Sequence, residues 1–321
     1  MENTPLVSIV LTLYNKEKYI LEQLESIKNQ SYTHWELIIV DDASTDASAT
    51  IVNSFISVNP SLDIQYIKNP KNLHVSKTFQ RWLSNIRWVY VAMCDADDLW
   101  LSSKLEKQIV YLESHPNIGL VYHDLYTCDE SLSIINHSFI GSNNTYIMNH
   151  DVQYEFRSLL NTNYITATTI VFRSKYKNTT FSSYCNAQDW WIALIVSGAH
   201  GKVWFLDESL VKYRRYGGSL SSWDSQTRKE LVSLFFQKDW KAQLFSTASK
   251  HWKEQHDWIP ELRAQVLPEF FDILDARRDT LSRLIDSFSG KASKISNILY
   301  FSRKKMWKEA VTLIYFWNIS L

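Results

Sequence analysis

The sequence of 321 residues contains few turn-forming residues and few cysteines: only 7 Gly, 6 Pro and 3 Cys. Together with 13 Trp, 17 Tyr and 15 Phe, this composition excludes a disordered, collagen-like or linker-dominated chain, because it can bury a large apolar area. The cysteines lie far apart without a metal-binding spacing, so neither a zinc site nor a disulfide framework is indicated. Reduced thiols in a cytosolic compartment are therefore predicted.

The sequence also lacks an excess of either charge and a long apolar run. Lys+Arg and Asp+Glu number 34 each, which argues against a nucleic-acid-binding protein with a basic surface. The first apolar run, Leu6 to Tyr14, is too short for a membrane span and is interrupted by Ser8 and Thr12. No secretion signal is recognised, and a cytoplasmic protein is predicted.

The first half of the chain alternates short β-rich runs with helical patterns. Strands are predicted at Leu6–Leu13, Trp35–Val40, Ile64–Ile67, Val89–Met93 and Ile118–His123, and helices at Glu17–Asn29, Thr45–Val58, Val75–Ile86 and Ser103–Ser114. Strands separated by helices of this length pair in parallel through right-handed crossovers, which predicts an α/β sheet covered on both faces. Such sheets bind ligands beyond the carboxyl ends of their strands.

Polar and acidic residues follow three of these strands, and they are candidates for a binding site: Thr12, Tyr14 and Asn15, then Asp41 and Asp42, then Asp95, Asp97 and Asp98. The alternative is that such residues only cap helices or form turns. That alternative is weaker for Asp97, because three carboxylates within four residues repel one another unless a cation lies between them.

The middle of the chain carries two weaker signals. Asp189 opens an apolar helical run, where an acidic residue is more often a cap than a chemical group. Two β-like runs, 203–206 and 210–213, lead to Arg214 and Arg215 ahead of Gly217 and Gly218. Arginines beside a glycine pair can bind phosphate oxygens while the backbone approaches closely.

From about Trp223 the chain changes to helical patterns rich in aromatic and basic residues. From Arg277 to the end, nine basic residues stand against three acidic ones. Two interpretations remain open: peripheral contact of this region with an anionic membrane surface, or a helix packed on the rest of the protein with a solvated basic face.

Six segments of the sequence resemble the family 2 glycosyltransferases, inverting enzymes with the GT-A fold, and most resemble bacterial rhamnosyltransferase-type members. The segments are VSIVLTLYNKEKYILEQLESIKNQSY, WELIIVDDASTD, VAMCDADDLWLSSKLEKQ, NYITATTIVFRSKY, AQDWWIAL and VWFLDESLVKYRRYGGS. The resemblance implies a catalytic domain over residues 1–222, with a Rossmann-like mixed sheet flanked by helices, and a helical C-terminal region over 223–321. It also implies transfer of a hexose or deoxyhexose from a nucleotide-diphosphate sugar to a glycan or lipid-linked acceptor in bacterial polysaccharide synthesis.

The resemblance further implies roles for individual residues. Asp97 of the DXD-type motif would bind Mg²⁺ or Mn²⁺, and Asp189 would be the general base. Trp190 and Trp191 would contact the acceptor. The donor would be bound by a larger set: Thr12, Tyr14, Asn15, Asp42, Lys77, Asp95, Asp98, Arg214 and Arg215.

Two positions depart from the family pattern, and two other function classes stay open. His74 and Phe79 stand where the family often has Gly and Arg, so the arginine's contact with phosphate or base is either missing or supplied by Lys77 or Arg81. Tyr216 stands where a His is often found, which leaves the adjacent arginines as the phosphate partners. A nucleotidyltransferase is disfavoured because no glycine-rich loop follows the first strand. An inactive glycan-binding scaffold is the other alternative.

Overall fold

A computed structural model describes residues 4–83, 86, 89–140, 152–161, 163–176, 187–199, 201–216 and 256–289. Contacts between residues divide the chain into two compact units. The first comprises 1–159, 164–181 and 186–215, and the second comprises 160–163, 182–185 and 216–321. The boundary predicted at residue 222 lies outside the described residues.

The described strands form one mixed sheet of nine strands in the order β3-β2-β1-β4-β8-β6-β9-β5, with β7 paired to β6. The strands are β1 (Val7–Leu13), β2 (Trp35–Asp41), β3 (Ile64–Lys68), β4 (Tyr90–Asp95), β5 (Leu99–Trp100), β6 (Ile118–Cys128), β7 (Ile134–Asn136), β8 (Val171–Arg173) and β9 (Lys202–Arg214). The helices are α1 (Ile20–Lys28), α2 (Ser48–Val58), α3 (Val75–Leu83), α4 (Lys104–Ser114), α5 (Val152–Asn161), α6 (Gln188–Gly198), α7 (256–263) and α8 (Phe271–Ser289). The predicted α/β architecture is confirmed.

The half of the sheet from β3 to β4 is parallel, and its strands are buried except for β3 at the edge. Nearly every residue of β1, β2 and β4 is shielded from solvent, as expected where helices cover both faces of a sheet. In the strand register, Thr12 of β1 pairs with Val40 of β2 and with Asp95 of β4. The carboxyl ends of these three strands therefore meet at one edge.

The other half of the sheet is mixed. Strand β8 runs antiparallel to both β4 and β6, whereas β9 runs parallel to β6 and antiparallel to β5. The two β-like runs predicted at 203–206 and 210–213 form the single strand β9. The register of β9 against β6 shifts between His123 and Asp124. Asp207 and Glu208 form a bulge there, and β9 continues beyond it.

Two helices begin later than predicted, because side chains near their starts bind neighbouring turns. Helix α1 begins at Ile20 rather than Glu17, and the Glu17 carboxylate accepts a hydrogen bond from the Ala47 amide at 2.8 Å. Helix α2 begins at Ser48 rather than Thr45, and the Thr45 amide donates to Asn15 Oδ1 at 2.8 Å. These bonds connect the turns that follow β1 and β2.

In the second unit, the structure describes residues 256–289. Helices α7 and α8, with the 3₁₀ turn Pro268–Phe270 between them, bury apolar residues including Leu262, Phe270, Leu274 and Leu281. Arg263 forms an ion pair with Asp275. Within the part of the chain that the structure describes, no helix is long and apolar enough to cross a membrane. The Gly217–Gly218 pair and the basic, aromatic stretch beyond residue 289 lie outside the described residues.

Candidate active site

The turns that follow β1 and β2 are tied together by side chains. The amide of Asp42 donates to the carbonyl of Leu13 at 2.8 Å. Asn15, with a positive φ of 51°, donates its amide to Ser44 Oγ at 3.0 Å. Beside these fixed turns the ring of Tyr14 is 45% exposed. An exposed aromatic ring next to the Asp42 carboxylate offers a stacking surface and a hydrogen-bond acceptor to a flat, polar ligand.

The two carboxylates that follow β2 are held by hydrogen bonds. Asp41 Oδ2 accepts from the Tyr66 hydroxyl at 2.5 Å. Asp42 Oδ1 accepts from Asn69 Nδ2 and from the Leu73 amide, both at 2.8 Å. These bonds hold the two buried side chains in fixed directions. Asn69 is a site residue that the sequence prediction missed, because it bonds to Asp42 only through a contact that is distant along the chain.

The carboxylates at the end of β4 are crowded. Burial, then the charges of Asp97 and Asp189, raises the pKa of Asp95 to about 7. Burial, then Asp97 and Asp95, raises the pKa of Asp98 well above its ordinary value, although the Arg214 amide donates to Asp98 Oδ1 at 3.1 Å. Asp97 is 15% exposed and lies 2.8 Å from the ammonium of Lys16, a residue that the sequence prediction also missed. The loop is a region of strong negative potential.

Asp189 is held by its own helix and by a 3₁₀ turn, Ala167–Thr169. Its Oδ1 accepts from the Trp190 amide at 2.7 Å, and its Oδ2 accepts from the Ala167 amide at 3.2 Å. The same turn contacts the acidic side of the site, since Thr168 Oγ1 accepts from the indole of Trp100 at 3.0 Å and opposes the rise in the pKa of Asp98. Asp189 lies in the first turn of α6, whose N-cap is Ala187. It is therefore not the cap residue.

Arg214 is placed differently from the sequence expectation. Its side chain is 3% exposed, and its guanidinium donates to the carbonyls of Asp97, at 2.9 Å, and Glu130, and to the carboxylate of Glu22. A diphosphate would have to compete with these bonds. In this structure Arg214 connects the end of β9 to the loop that follows β4. This loop, together with the last residue of β4, is called the acidic loop below, and its carboxylates are those of Asp95, Asp97 and Asp98.

The remaining predicted site residues differ in how far they are buried and in their hydrogen bonds. Trp191 is fully buried, so its indole packs in the interior of the first unit and does not face an acceptor. The indole N–H of Trp190 bonds to the Leu159 carbonyl, and the residue is partly exposed. Lys77 is exposed on α3. The Arg215 amide continues the bonding of β9 to β6 through the Cys128 carbonyl.

The acidic loop fits a hard divalent cation in donor chemistry, although the described residues contain no group of three or more His, Cys, Asp or Glu side chains arranged to hold a metal. Mg²⁺ is commonly bound by one or two carboxylates together with substrate phosphates and water rather than by a complete protein cage. Asp97, with its partly exposed carboxylate, offers the accessible oxygen ligand. Asp95 and Asp98, whose pKa values are raised, would ionise more readily with a cation bound beside them.

The sequence matches the family profile described as Glycosyl transferase family 2 over residues 8–187. TuaG of Bacillus subtilis, whose description names a teichuronic acid biosynthesis glycosyltransferase, is 35% identical over 108 residues, or 34% of this chain and 42% of TuaG. The aligned segments cover 46% of EpsE of Bacillus subtilis, a glycosyltransferase by its description, and 42% of TuaG, so this chain spans less than half the length of these two curated relatives.

Solved structures show the same fold at low sequence identity. TarS of S. aureus with UDP-GlcNAc has a TM-score of 0.55 at 16% identity, covering 88% of this chain and 90% of that one. The mannosyltransferase PcManGT of Pyrobaculum calidifontis, with GDP-Man and Mn²⁺, also has a TM-score of 0.55 at 16% identity, covering 99% and 85%. These likenesses confirm the expected GT-A-like fold. The family match covers more than half of the sequence, and this chain belongs to glycosyl transferase family 2.

Proposed function

We propose that the protein is a metal-dependent inverting glycosyltransferase. It moves a sugar from a nucleotide-diphosphate donor to a hydroxyl group of a glycan or lipid-linked acceptor during synthesis of a bacterial polysaccharide. The observation that carries this proposal is that one 3₁₀ turn, Ala167–Thr169, bonds to both Asp189 and the acidic loop: the Ala167 amide donates to Asp189 at 3.2 Å, and Thr168 bonds to Asp98. A candidate base and a candidate cation-binding loop, 92 residues apart from Asp97 to Asp189, thus share one site.

On the donor side, residues at the carboxyl ends of β1, β2 and β4 would bind the nucleotide. The exposed ring of Tyr14 stacks on the base, and Asp42 accepts a hydrogen bond from it. Thr12, which pairs with Asp95 in the strand register, lies toward the ribose. Asp97 would hold Mg²⁺ or Mn²⁺ against the diphosphate. The cation would neutralise the charge that develops on the leaving group.

On the acceptor side, Asp189 would take the proton from the attacking hydroxyl. The two amide hydrogen bonds to its carboxylate fix the direction of the group, which is what positioned general-base catalysis requires. The hydroxyl oxygen attacks the anomeric carbon on the face opposite the diphosphate, so the configuration inverts in one displacement. The partly exposed Trp190, next to the base, would contact the acceptor sugar.

The similarity to TuaG supports a polysaccharide acceptor, because TuaG is described as a glycosyltransferase of teichuronic acid biosynthesis. A lipid-linked acceptor would lie at the cytoplasmic face of the membrane. The basic residues after Arg277 would favour that surface, with roughly 1 kcal/mol for each basic residue near anionic lipid.

A screen of the purified full chain against a panel of nucleotide sugars, with Mn²⁺, Mg²⁺ or EDTA, tests this function. The expected result is thermal stabilisation and slow donor hydrolysis with at least one nucleotide sugar, both lost in EDTA. Full activity in EDTA would overturn metal dependence. If no nucleotide sugar binds under any condition, the glycosyltransferase assignment itself fails.

A further inference from the structure

The hydrogen bonds around Asp42 leave only one of its carboxylate oxygens available to a ligand. Oδ1 accepts two hydrogen bonds at 2.8 Å, from Asn69 Nδ2 and from the Leu73 amide. Oδ2 bonds to no residue that the structure describes, and it is not among the fully enclosed polar atoms. The protein thus donates hydrogen bonds to Oδ1 of Asp42 and leaves Oδ2 available to a ligand.

The satisfied half is held firmly by Asn69, which is 2% exposed. Its amide nitrogen donates to Thr78 Oγ1 at 3.1 Å as well as to Asp42, and its carbonyl oxygen accepts from Arg81 at 2.9 Å. Because both ends of the Asn69 amide are bonded, the side chain cannot rotate away without breaking several buried hydrogen bonds. The Asp42 carboxylate therefore presents Oδ2 in a fixed direction.

The open oxygen lies where a base would stack. Tyr14 and Asp42 directly follow Leu13 and Asp41, which are partners in the register of β1 and β2. The ring of Tyr14 is 45% exposed, whereas Asp42 is only 4% exposed. A flat ring on Tyr14 would therefore bring its edge to a single, well-directed acceptor atom.

A single acceptor distinguishes among bases by their hydrogen-bond donors. Uracil and thymine have one imide N–H. Guanine has two adjacent donors, N1–H and the N2 amine, which match a carboxylate with both oxygens free. Adenine and cytosine have no ring N–H at this edge and offer an amine with two N–H donors, of which a single acceptor atom can pair only one.

We infer that the donor carries uracil or thymine, and that Asn69 determines this specificity by occupying Oδ1 of Asp42. The inference rests on the proposed function, because it concerns the nucleotide subsite of that same reaction. The fold alone does not make this choice, since the neighbouring solved structures hold UDP-GlcNAc in one case and GDP-Man in the other.

Calorimetry of the full chain in Mn²⁺ with UDP, dTDP, GDP, ADP and CDP tests the inference without any variant. We expect UDP or dTDP to bind at least about tenfold more tightly than the other three, since one unmet buried hydrogen bond has about this effect. The pair of UDP and dTDP also separates ribose from deoxyribose donors. GDP binding as tightly as the better of these two would overturn the inference and leave the proposed function standing. Absence of binding by all five would instead count against the proposed function.

Asn69→Ala tests the specificity role, with Asn53→Ala as the matched control. Asn53 is an exposed asparagine of α2 whose side chain bonds only within its helix, to the Ala49 carbonyl. Removing one of the two hydrogen bonds to Oδ1 should reduce the ratio of UDP to GDP affinity by about threefold or more, and Asn53→Ala should leave this ratio unchanged. An unchanged ratio in a folded Asn69→Ala protein would show that Asn69 does not set the specificity. If Asn69→Ala does not fold, the wild-type panel still decides the inference.

Discussion

The turn after β2 and the turn after β4 both place adjacent carboxylates at one edge of the sheet, but the protein supports them differently. At the first turn, Asp41 and Asp42 each accept hydrogen bonds from residues of the following strand and loop. At the second, Asp95 and Asp98 have raised pKa values because burial and neighbouring carboxylates oppose their ionisation.

This difference indicates that the two turns have different roles in binding a substrate. A carboxylate that is held in a fixed direction by hydrogen bonds from the protein is suited to recognising the hydrogen-bond donors of a ligand. Carboxylates that repel one another are stabilised by added positive charge, which suits a loop that binds a cation with the substrate. Lys16 lies against Asp97 and supplies one positive charge from the protein itself. The following variants test whether the two turns differ in this way.

The largest effect is expected from Asp189→Asn, which removes the candidate base and keeps its shape. The amide oxygen can still accept one of the two hydrogen bonds, from the Trp190 amide or from the Ala167 amide, but the side chain cannot accept the proton. Transfer to the acceptor should fall by on the order of 10²-fold to 10⁴-fold, the usual contribution of general-base catalysis. Steady-state transfer assays measure this, with donor affinity and melting temperature as controls. Turnover near the wild-type value would place the base elsewhere.

Asp97→Ala should abolish the dependence of nucleotide affinity on Mn²⁺. Loss of the accessible carboxylate in the crowded loop should weaken Mn²⁺-dependent binding by about 3 kcal/mol, or about 10²-fold. The melting temperature should hold, because the substitution also removes repulsion among the carboxylates. Titration calorimetry with and without Mn²⁺ is the measurement. The metal assignment is wrong if the variant keeps the wild-type response to Mn²⁺.

Glu155 is a carboxyl group whose pKa is raised by burial and not by neighbouring carboxylates, so it allows the two effects to be compared. Burial raises the pKa of this carboxyl to about 7, and only the Tyr164 hydroxyl, at 2.7 Å, opposes the shift. The folded state then binds more protons than the unfolded state between about pH 4.5 and 7, so Glu155 makes stability fall as the pH rises through that range.

Glu155→Gln should remove a pH-dependent loss of about 2 to 3 kcal/mol across that interval. Denaturant unfolding at several pH values measures it, and Mn²⁺ should have no influence, in contrast to the loop after β4. Parallel stability curves for the variant and the wild type would show that Glu155 ionises normally.

The donor side of the site could be predicted from sequence because it depends on strand ends. Once β1, β2 and β4 are identified, parallel pairing brings Thr12, Asp42 and Asp95 to one edge. The positions of Tyr14 and Asn15 follow in the same way, since both come directly after β1.

Residues that act through contacts distant along the chain could not be predicted in this way. Arg214 has the sequence setting of a phosphate-binding arginine, yet its guanidinium is used by Glu22 and by backbone carbonyls. Asn69 follows β3 as an ordinary turn residue would, and only its bond to Asp42 gives it a role. No local pattern of hydrophobicity or turn chemistry encodes such pairs.

The smallest effect is expected from Tyr66→Phe, which tests whether the turn after β2 owes its order to hydrogen bonds. The substitution removes the hydroxyl that donates to Asp41 at 2.5 Å and leaves the buried Oδ2 of Asp41 without this hydrogen bond. The free energy of unfolding should fall by about 1 to 2 kcal/mol, at the lower end of the range for hydrogen bonds to charged groups, because the Lys68 ammonium also lies 3.9 Å from Asp41 Oδ2. Asp98→Asn is the counterpart at the turn after β4. It keeps an acceptor for the Arg214 amide and removes a carboxyl whose pKa is raised, so its melting temperature should stay equal or rise. Denaturant unfolding at pH 7 compares the two variants, and equal destabilisation by both would mean that the two turns are supported alike.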